Sequence, residues 1–362
     1  VRQRRKTEEV AIGNVMIGGH NPIAVQTMAA VKTNDVDAVV AQAKAAYEAG
    51  CHIFRVSVFD KEDAECLGAI KKRIPMPLVA DIHFRPSFAM KALEEGVDKV
   101  RLNPGNIGGL EAAKPVILEA KKRGTPIRLG VNSGSVEKDL LQKYGYPSAE
   151  AMVESAMRHV EFCESLGFRD IVISIKSTDL QTTLENYRLL SKATEYPLHV
   201  GLTEAGMPGY GHVKSALGIG MLLLEGIGDT IRVSLTKGAQ PNACVEEVRA
   251  AFDILKATGV QMDGPEVIAC PSCGRIDIEL EPAVAAVKAE LQKRGIKDPI
   301  KISILGCAVN GPGEAREADV GVAGGKEEAL IFRGGKITRK VPEAQLVSAL
   351  LEEVETFIKE KH

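Results

Sequence analysis

A (β/α)8 barrel followed by a smaller α+β domain is the fold class this sequence predicts, and three observations predict it. Short apolar, β-branched runs recur eight times between residues 22 and 235, and segments with helical periodicity, such as Asp37–Glu48 and Ala149–Ser165, lie between them. No Gly-x-Gly-x-x-Gly follows the first run, which counts against a doubly wound open sheet. Beyond residue 265 the alternation stops, and paired strands joined by a tight glycine turn take its place.

Taken in order, residues 10–19 predict a two-stranded ribbon turning at Gly13-Asn14. The barrel strands are expected at Pro22–Thr27, His52–Val58, Leu78–His83, Lys99–Leu102, Pro126–Val131, Asp170–Ile175, Pro197–Leu202 and Thr230–Leu235. Cys244–Ala257 fits the last barrel helix, and Thr258–Pro265, with two glycines and a proline, fits a linker. The expected domains are therefore 1–258 and 266–362. In the second, strands are predicted at Val267–Ala269 and Ile300–Leu305 around a helix at Pro282–Lys293. A hairpin, Ala329–Phe332 with Lys336–Lys340, turns at Gly334-Gly335, and an amphipathic helix over Glu343–Lys359 closes the chain.

Composition excludes several function classes. A net charge of −2 over 362 residues leaves no electrostatic footprint for nucleic acid, and no interleaved aromatics offer a stacking platform. No apolar run has the length of a membrane span, and the basic start, Val1 to Lys6, reads as a solvated terminus left by processing. Seven cysteines is an odd count in a chain too large to need disulfide staples, which points to the reducing cytoplasm. Cys51, Cys66, Cys163 and Cys244 sit singly in apolar patterns and read as packing residues.

In such a barrel the chemistry sits at the C-terminal ends of the strands. Those ends present Arg55 and Ser57, Asp81 and His83, Arg101 and Asn103, Arg128 and Asn132, Lys176 and Ser177, His199 and Thr203, and Arg232 and Ser234. Four arginines and a lysine converging on one mouth repel one another unless an anion lies between them. Arginine forks match phosphate oxygens in pairs, so the implied ligand is a small molecule carrying at least two phosphoryl groups. Glu204 opens a glycine-rich loop running to His212. Beside a cationic mouth its carboxylate either neutralises an arginine or moves a proton.

The second domain carries the remaining chemistry. Cys270-Pro271-Ser272-Cys273 sets two thiols on one side of a turn, and Cys307 follows in Gly306-Cys-Ala-Val-Asn-Gly-Pro-Gly-Glu314. No fourth thiol or His follows closely, and Glu314 is the nearest candidate. A carboxylate is harder and more exchangeable than a thiolate, so this donor set keeps one metal corner replaceable. A zinc staple on a barrel enzyme without redox chemistry is one reading of these thiols. An iron–sulfur cluster is the other, and the small-residue loop favours it, because backbone can approach the sulfides closely.

The segments Val79–Phe84, Arg101–Asn106, Arg128–Ser135, Leu202–Gly206, Ala269–Arg275 and Gly306–Glu314 together resemble the 4-hydroxy-3-methylbut-2-enyl diphosphate synthase family over essentially the whole chain. The resemblance implies a 4Fe–4S cluster on Cys270, Cys273, Cys307 and Glu314. It implies that 2-C-methyl-D-erythritol 2,4-cyclodiphosphate is held by Arg55, His83, Arg101, Asn103, Arg128, Asn132, Lys176, Arg232 and Ser234. Glu204 and Glu314 become the catalytic carboxylates. Ferredoxin or flavodoxin becomes the electron donor, and a head-to-tail homodimer sets each barrel against the partner's cluster domain. The short linker matches the two-domain bacterial form.

Overall fold

The computed structural model describes residues 3–262, 264–307, 309, 311–315 and 317–362. The chain divides into two compact units, Val1–Gln261 and Met262–His362.

The first unit opens with a hairpin, β1 (Val10–Ile12) and β2 (Val15–Ile17), turning at Gly13-Asn14 with Gly13 at φ +56°. Eight parallel strands follow: β3 (Ala24–Met28), β4 (Ile53–Val58), β5 (Leu78–Ile82), β6 (Lys99–Leu102), β7 (Ile127–Asn132), β8 (Ile171–Lys176), β9 (His199–Val200) and β10 (Thr230–Ile231). Neighbours pair in sequence order, β10 returns to β3, and a single bridge, Ile173 to Leu198, closes the ring between β8 and β9. Following the registers once round arrives back on β3 eight residues away, which is the shear of a (β/α)8 barrel. The last two strands are shorter than the sequence predicts. Beyond them Gly201 lies against the Arg232 carbonyl, and the chain turns off into mouth loops.

The period-2 alternation sorts the strands' two faces. Val56, Leu78, Leu129, Ile173 and Val200 point outward into one core shared with the ring of helices. Several of those helices start on side-chain caps, with Asp35, Ser148 and Asp179 each accepting a backbone N–H. Inward, the registers stack side chains in levels of four. Ile53, Lys99, Val172 and Thr230 form the lowest, Gln26, Val79, Arg128 and His199 the next, and Arg55, Arg101, Ser174 and Arg232 the third. Val10, Ile12 and Ile17 of the hairpin pack beneath, against Ala24, Ile53, Val79 and Val172, and stop the bottom of the barrel.

The second unit is a five-stranded sheet in the order β11 (Glu266–Ala269), β12 (Lys301–Leu305), β13 (Val320–Gly325), β14 (Glu328–Arg333) and β15 (Lys336–Pro342). The first three run parallel and the last two antiparallel. Helices Leu280–Lys293 and Leu346–Lys361 bury Val287, Leu291, Leu350 and Val354 against Ile302, Ile304, Val322 and Ile331. β13 is the strand the sequence does not announce. Three of its six residues are glycine, and β-propensity gives no signal there. Gly321 and Gly324 are required by closeness, because a Cβ would lie 2.4 Å from the Ser303 hydroxyl and 2.7 Å from Ile278 respectively.

Candidate active site

The mouth is built around one buried carboxylate. Asp81, on β5, accepts from Arg101 Nη1 at 3.1 Å, lies 3.6 Å from Arg55 Nη1, and has His83 Nε2 at 3.8 Å. Burial alone would raise its pKa, but Arg101 and Arg55 outweigh that and hold the carboxyl well below the usual range. The sequence places Asp81 at a strand end without assigning it to the site, and the structure makes it the hub.

Asp81, even with Glu247 beside Arg232, is too little for the cations present. Arg55, Arg101, Arg128 and Lys176 are all buried, and Arg232 stands beside them. Burial pulls the pKa of Arg55 down, and Arg232, Arg128 and Arg101 pull it further against Asp81. Lys176 is displaced downward by burial and by the same guanidinium groups, with no opposing carboxylate. Burial and Arg101 bring Arg128 down to about 9, and its Nε and Nη1 have no hydrogen-bonding partner among the described residues. His83 is lowered too, by burial foremost, despite Asp81. Arg55, Arg128, Lys176 and His83, each resisting its charge among further guanidinium groups, have the chemistry of an anion site.

Two features of this cluster are invisible to pattern. Met28, the last residue of β3, accepts from Arg55 Nε at 3.1 Å and from Arg232 Nη1 at 3.6 Å, a soft seat between two guanidinium groups. Glu247 reaches in from the helix Val245–Ala257, fully buried. It accepts from Thr27 Oγ1 at 2.6 Å, Lys237 Nζ at 2.6 Å and the Leu235 amide at 2.9 Å, with Arg232 Nη2 at 3.8 Å. From the sequence it reads as one more helix residue.

Ser135 joins the two predicted asparagines. It accepts from Asn103 Nδ2 at 2.8 Å and from the Asn132 amide at 3.1 Å, and donates to the Asn132 carbonyl at 2.8 Å. Ser234 carries a buried hydroxyl with no partner among the described residues. Glu204 stands apart from the buried cluster. It is exposed, at φ +57° in the left-handed region, and its backbone carbonyl accepts from Lys214 Nζ at 3.4 Å. A non-glycine residue there is strained by about 1–3 kcal/mol.

In the second unit Cys270 follows β11 and Cys307 lies just beyond β12, so two of the three thiols leave from neighbouring parallel strands at the same end. The Gly306 amide donates to Cys270 Sγ at 3.3 Å. Cys273 is exposed, and hydrogen bonds from the backbone and guanidinium of Arg275 lower its pKa, while Arg275 is also near enough to feel Cys307. Glu314 is exposed on the short helix Gly311–Ala315. Ala308 and Asn310 of the cysteine loop lie outside the described residues. Among the described residues no three His, Cys, Asp or Glu side chains gather closely enough for a single metal ion. Free thiols, an amide aimed at sulfur and a neighbouring cation are nonetheless the donor chemistry of a thiolate-held centre.

Barrel and site together define a protein that gathers buried cations at the mouth of a closed parallel barrel and carries a thiol-lined loop pair on a separate domain. The chain matches the family descriptions "GcpE TIM-barrel domain" over residues 7–252 and "GcpE protein C-terminal domain" over residues 266–356. It is 51% identical over 357 residues to the 4-hydroxy-3-methylbut-2-en-1-yl diphosphate synthase (flavodoxin) of Geobacillus thermodenitrificans, covering 99% of this chain and 94% of that one. The proteins of the same name from Geobacter sulfurreducens and Aquifex aeolicus are 51% and 49% identical, each over 99% of this chain and over 100% and 98% of their own. Among solved structures, the Yersinia pestis dihydropteroate synthase overlays 70% of this chain and 99% of its own at TM-score 0.48 and 15% identity, too slight a likeness to build on. The chain belongs to the GcpE family. Membership supports the redox reading of the cysteine loops and not the zinc-stapled alternative.

Proposed function

We propose that this chain catalyses the reaction its relatives are named for, forming 4-hydroxy-3-methylbut-2-en-1-yl diphosphate with electrons from flavodoxin. The substrate is 2-C-methyl-D-erythritol 2,4-cyclodiphosphate. Two electrons and two protons enter, the ring C–O bond to phosphate breaks, and the C3 oxygen leaves as water. The observation that carries this reading is the set of buried cations around Asp81.

Arg55, Arg101, Arg128, Lys176 and Arg232 bind the diphosphate oxygens, whose charge favours the protonated forms of the buried Arg55, Arg128 and Lys176. His83, Asn103, Asn132 and Ser234 orient the carbon skeleton and its hydroxyls. Glu204 holds a proton at the departing oxygen, its strained backbone fixing where the carboxyl stands. Cys270, Cys273, Cys307 and Glu314 would hold a 4Fe–4S cluster, which supplies electrons and a Lewis-acidic, exchangeable corner. The cell compartment is the cytoplasm, and the assembly is a homodimer.

Anaerobically purified protein with reduced flavodoxin tests the proposal. Conversion of the cyclic diphosphate to the open diphosphate, with iron and sulfide in the preparation, is the expected result. A colourless zinc protein that binds the substrate and leaves it unchanged would sink it.

A further inference from the structure

The cationic lining does not stop at the mouth. Beneath the level of Arg55, Arg101 and Arg232 lie Lys99, Gln26, Arg128 and His199, facing inward from four strands. None is more than 1% exposed. In a barrel of this kind these positions are normally filled by Val, Ile and Leu.

Six polar atoms of this group have no partner among the described residues: Lys99 Nζ, Arg128 Nε and Nη1, Gln26 Nε2 and Oε1, and His199 Nε2. Leaving such atoms buried and unpaired is costly, most of all for charged groups. Gln26 Oε1 is the lone certain acceptor among them. His199 Nδ1 lies 3.4 Å from Thr230 Oγ1, and a hydroxyl donating there leaves Nε2–H as a donor. The titratable and charged groups that face Lys99 are Arg128 and Arg55, and no carboxylate offsets them. Those that face His199 are Arg128, Lys176, Lys99 and Arg55, again all basic. Below, the chamber is stopped by Ile53 and Val172 with the hairpin behind them, and above, the three arginines and Ser174 roof it.

We propose that this lower chamber is a second binding site, distinct from the mouth, that holds one small inorganic anion. Chloride is the abundant ion of that class. It receives hydrogen bonds from Lys99, Arg128, Gln26 and His199, keeps Lys99 protonated, and fixes Arg128 from below while its far edge serves the mouth. The inference stands without the catalytic reading, because it concerns the substrate-free protein.

Crystals of substrate-free protein soaked in bromide test it. Anomalous density is expected within hydrogen-bonding distance of Lys99 Nζ and Arg128. In solution, melting temperature at constant ionic strength should rise by several degrees, saturably, as gluconate is exchanged for chloride. Lys99→Met, close in volume, should abolish that dependence. Ordered waters alone in the chamber, or bromide at the mouth alone, would overturn the proposal. So would a wild-type melting curve indifferent to the anion, or a Lys99→Met protein that still responds to it.

Discussion

Asp81 accepts from Arg101 at 3.1 Å and faces Arg55 at 3.6 Å, so neither guanidinium is free to swing before the anion arrives. Replacing Arg55, Arg101, Arg128 or Arg232 by Met should weaken binding of the cyclic diphosphate by roughly 1.5–3 kcal/mol each, the scale of a charge-assisted hydrogen bond, measured by titration calorimetry. A neighbour makes the same point without touching a charge. A Cβ on Gly130 would lie 2.5 Å from Arg101 Nε, so Gly130→Ala should displace that guanidinium and weaken binding comparably while the protein stays folded. Unchanged affinity in both Gly130→Ala and Arg101→Met would return Arg101 to a structural role. Away from the mouth, Glu137 accepts from His159 Nε2 at 3.0 Å, and although burial opposes it, that bond and the nearby Ser155 bring the carboxyl down to about 2. A depressed carboxylate contributes stability above its unfolded pKa, near 4.3, and loses it as pH falls through the folded value. Wild type should therefore lose stability between about pH 4.5 and 2 more steeply than Glu137→Gln, by denaturant titration across that range.

At the scale of elements, the barrel strands are legible because burial on both faces writes a β-branched run eight times over, and the mouth cations are legible because they end those runs. What stays hidden has its reason in each case. β13 is too glycine-rich to look like a strand, and it exists because only glycine fits beside Ser303 and Ile278. Glu247 carries no local mark, since its partners Thr27, Leu235 and Lys237 come together only when the barrel closes. Lys99 opens a strand that looks like any other, and its depth appears only with the register. The two cysteine loops, by contrast, declare themselves by spacing. Cys270→Ser, Cys273→Ser and Cys307→Ser should each yield protein without bound iron. Glu314→Ala should keep most of its iron and lose turnover, by metal analysis set beside product formation. Normal turnover in Glu314→Ala would remove it from the site.

At the scale of the molecule, eight residues, Thr258 to Pro265, separate the last barrel helix from β11. Fully extended they reach about 28 Å at most, and they set out from the barrel's N-terminal side, opposite the mouth. We propose that the cysteine loops serve a neighbour's mouth in a two-fold dimer, because that needs no such reach. Mixing Cys307→Ser chains with Arg55→Met chains, at a substrate concentration too low to fill the weakened mouth, should therefore restore activity, since one of the two sites is then wholly wild type. Exchanged heterodimers that stay inactive would show each chain serving itself.

The hairpin beneath the barrel sets a further condition on turnover. With Val10, Ile12 and Ile17 seated on Ile53, Val79 and Val172, the barrel is a cup with one opening and no drain. Whatever enters must leave by the way it came. Product must clear the doorway before the next substrate can pass, so product inhibition should be strictly competitive with the cyclic diphosphate, and excess substrate should relieve it completely.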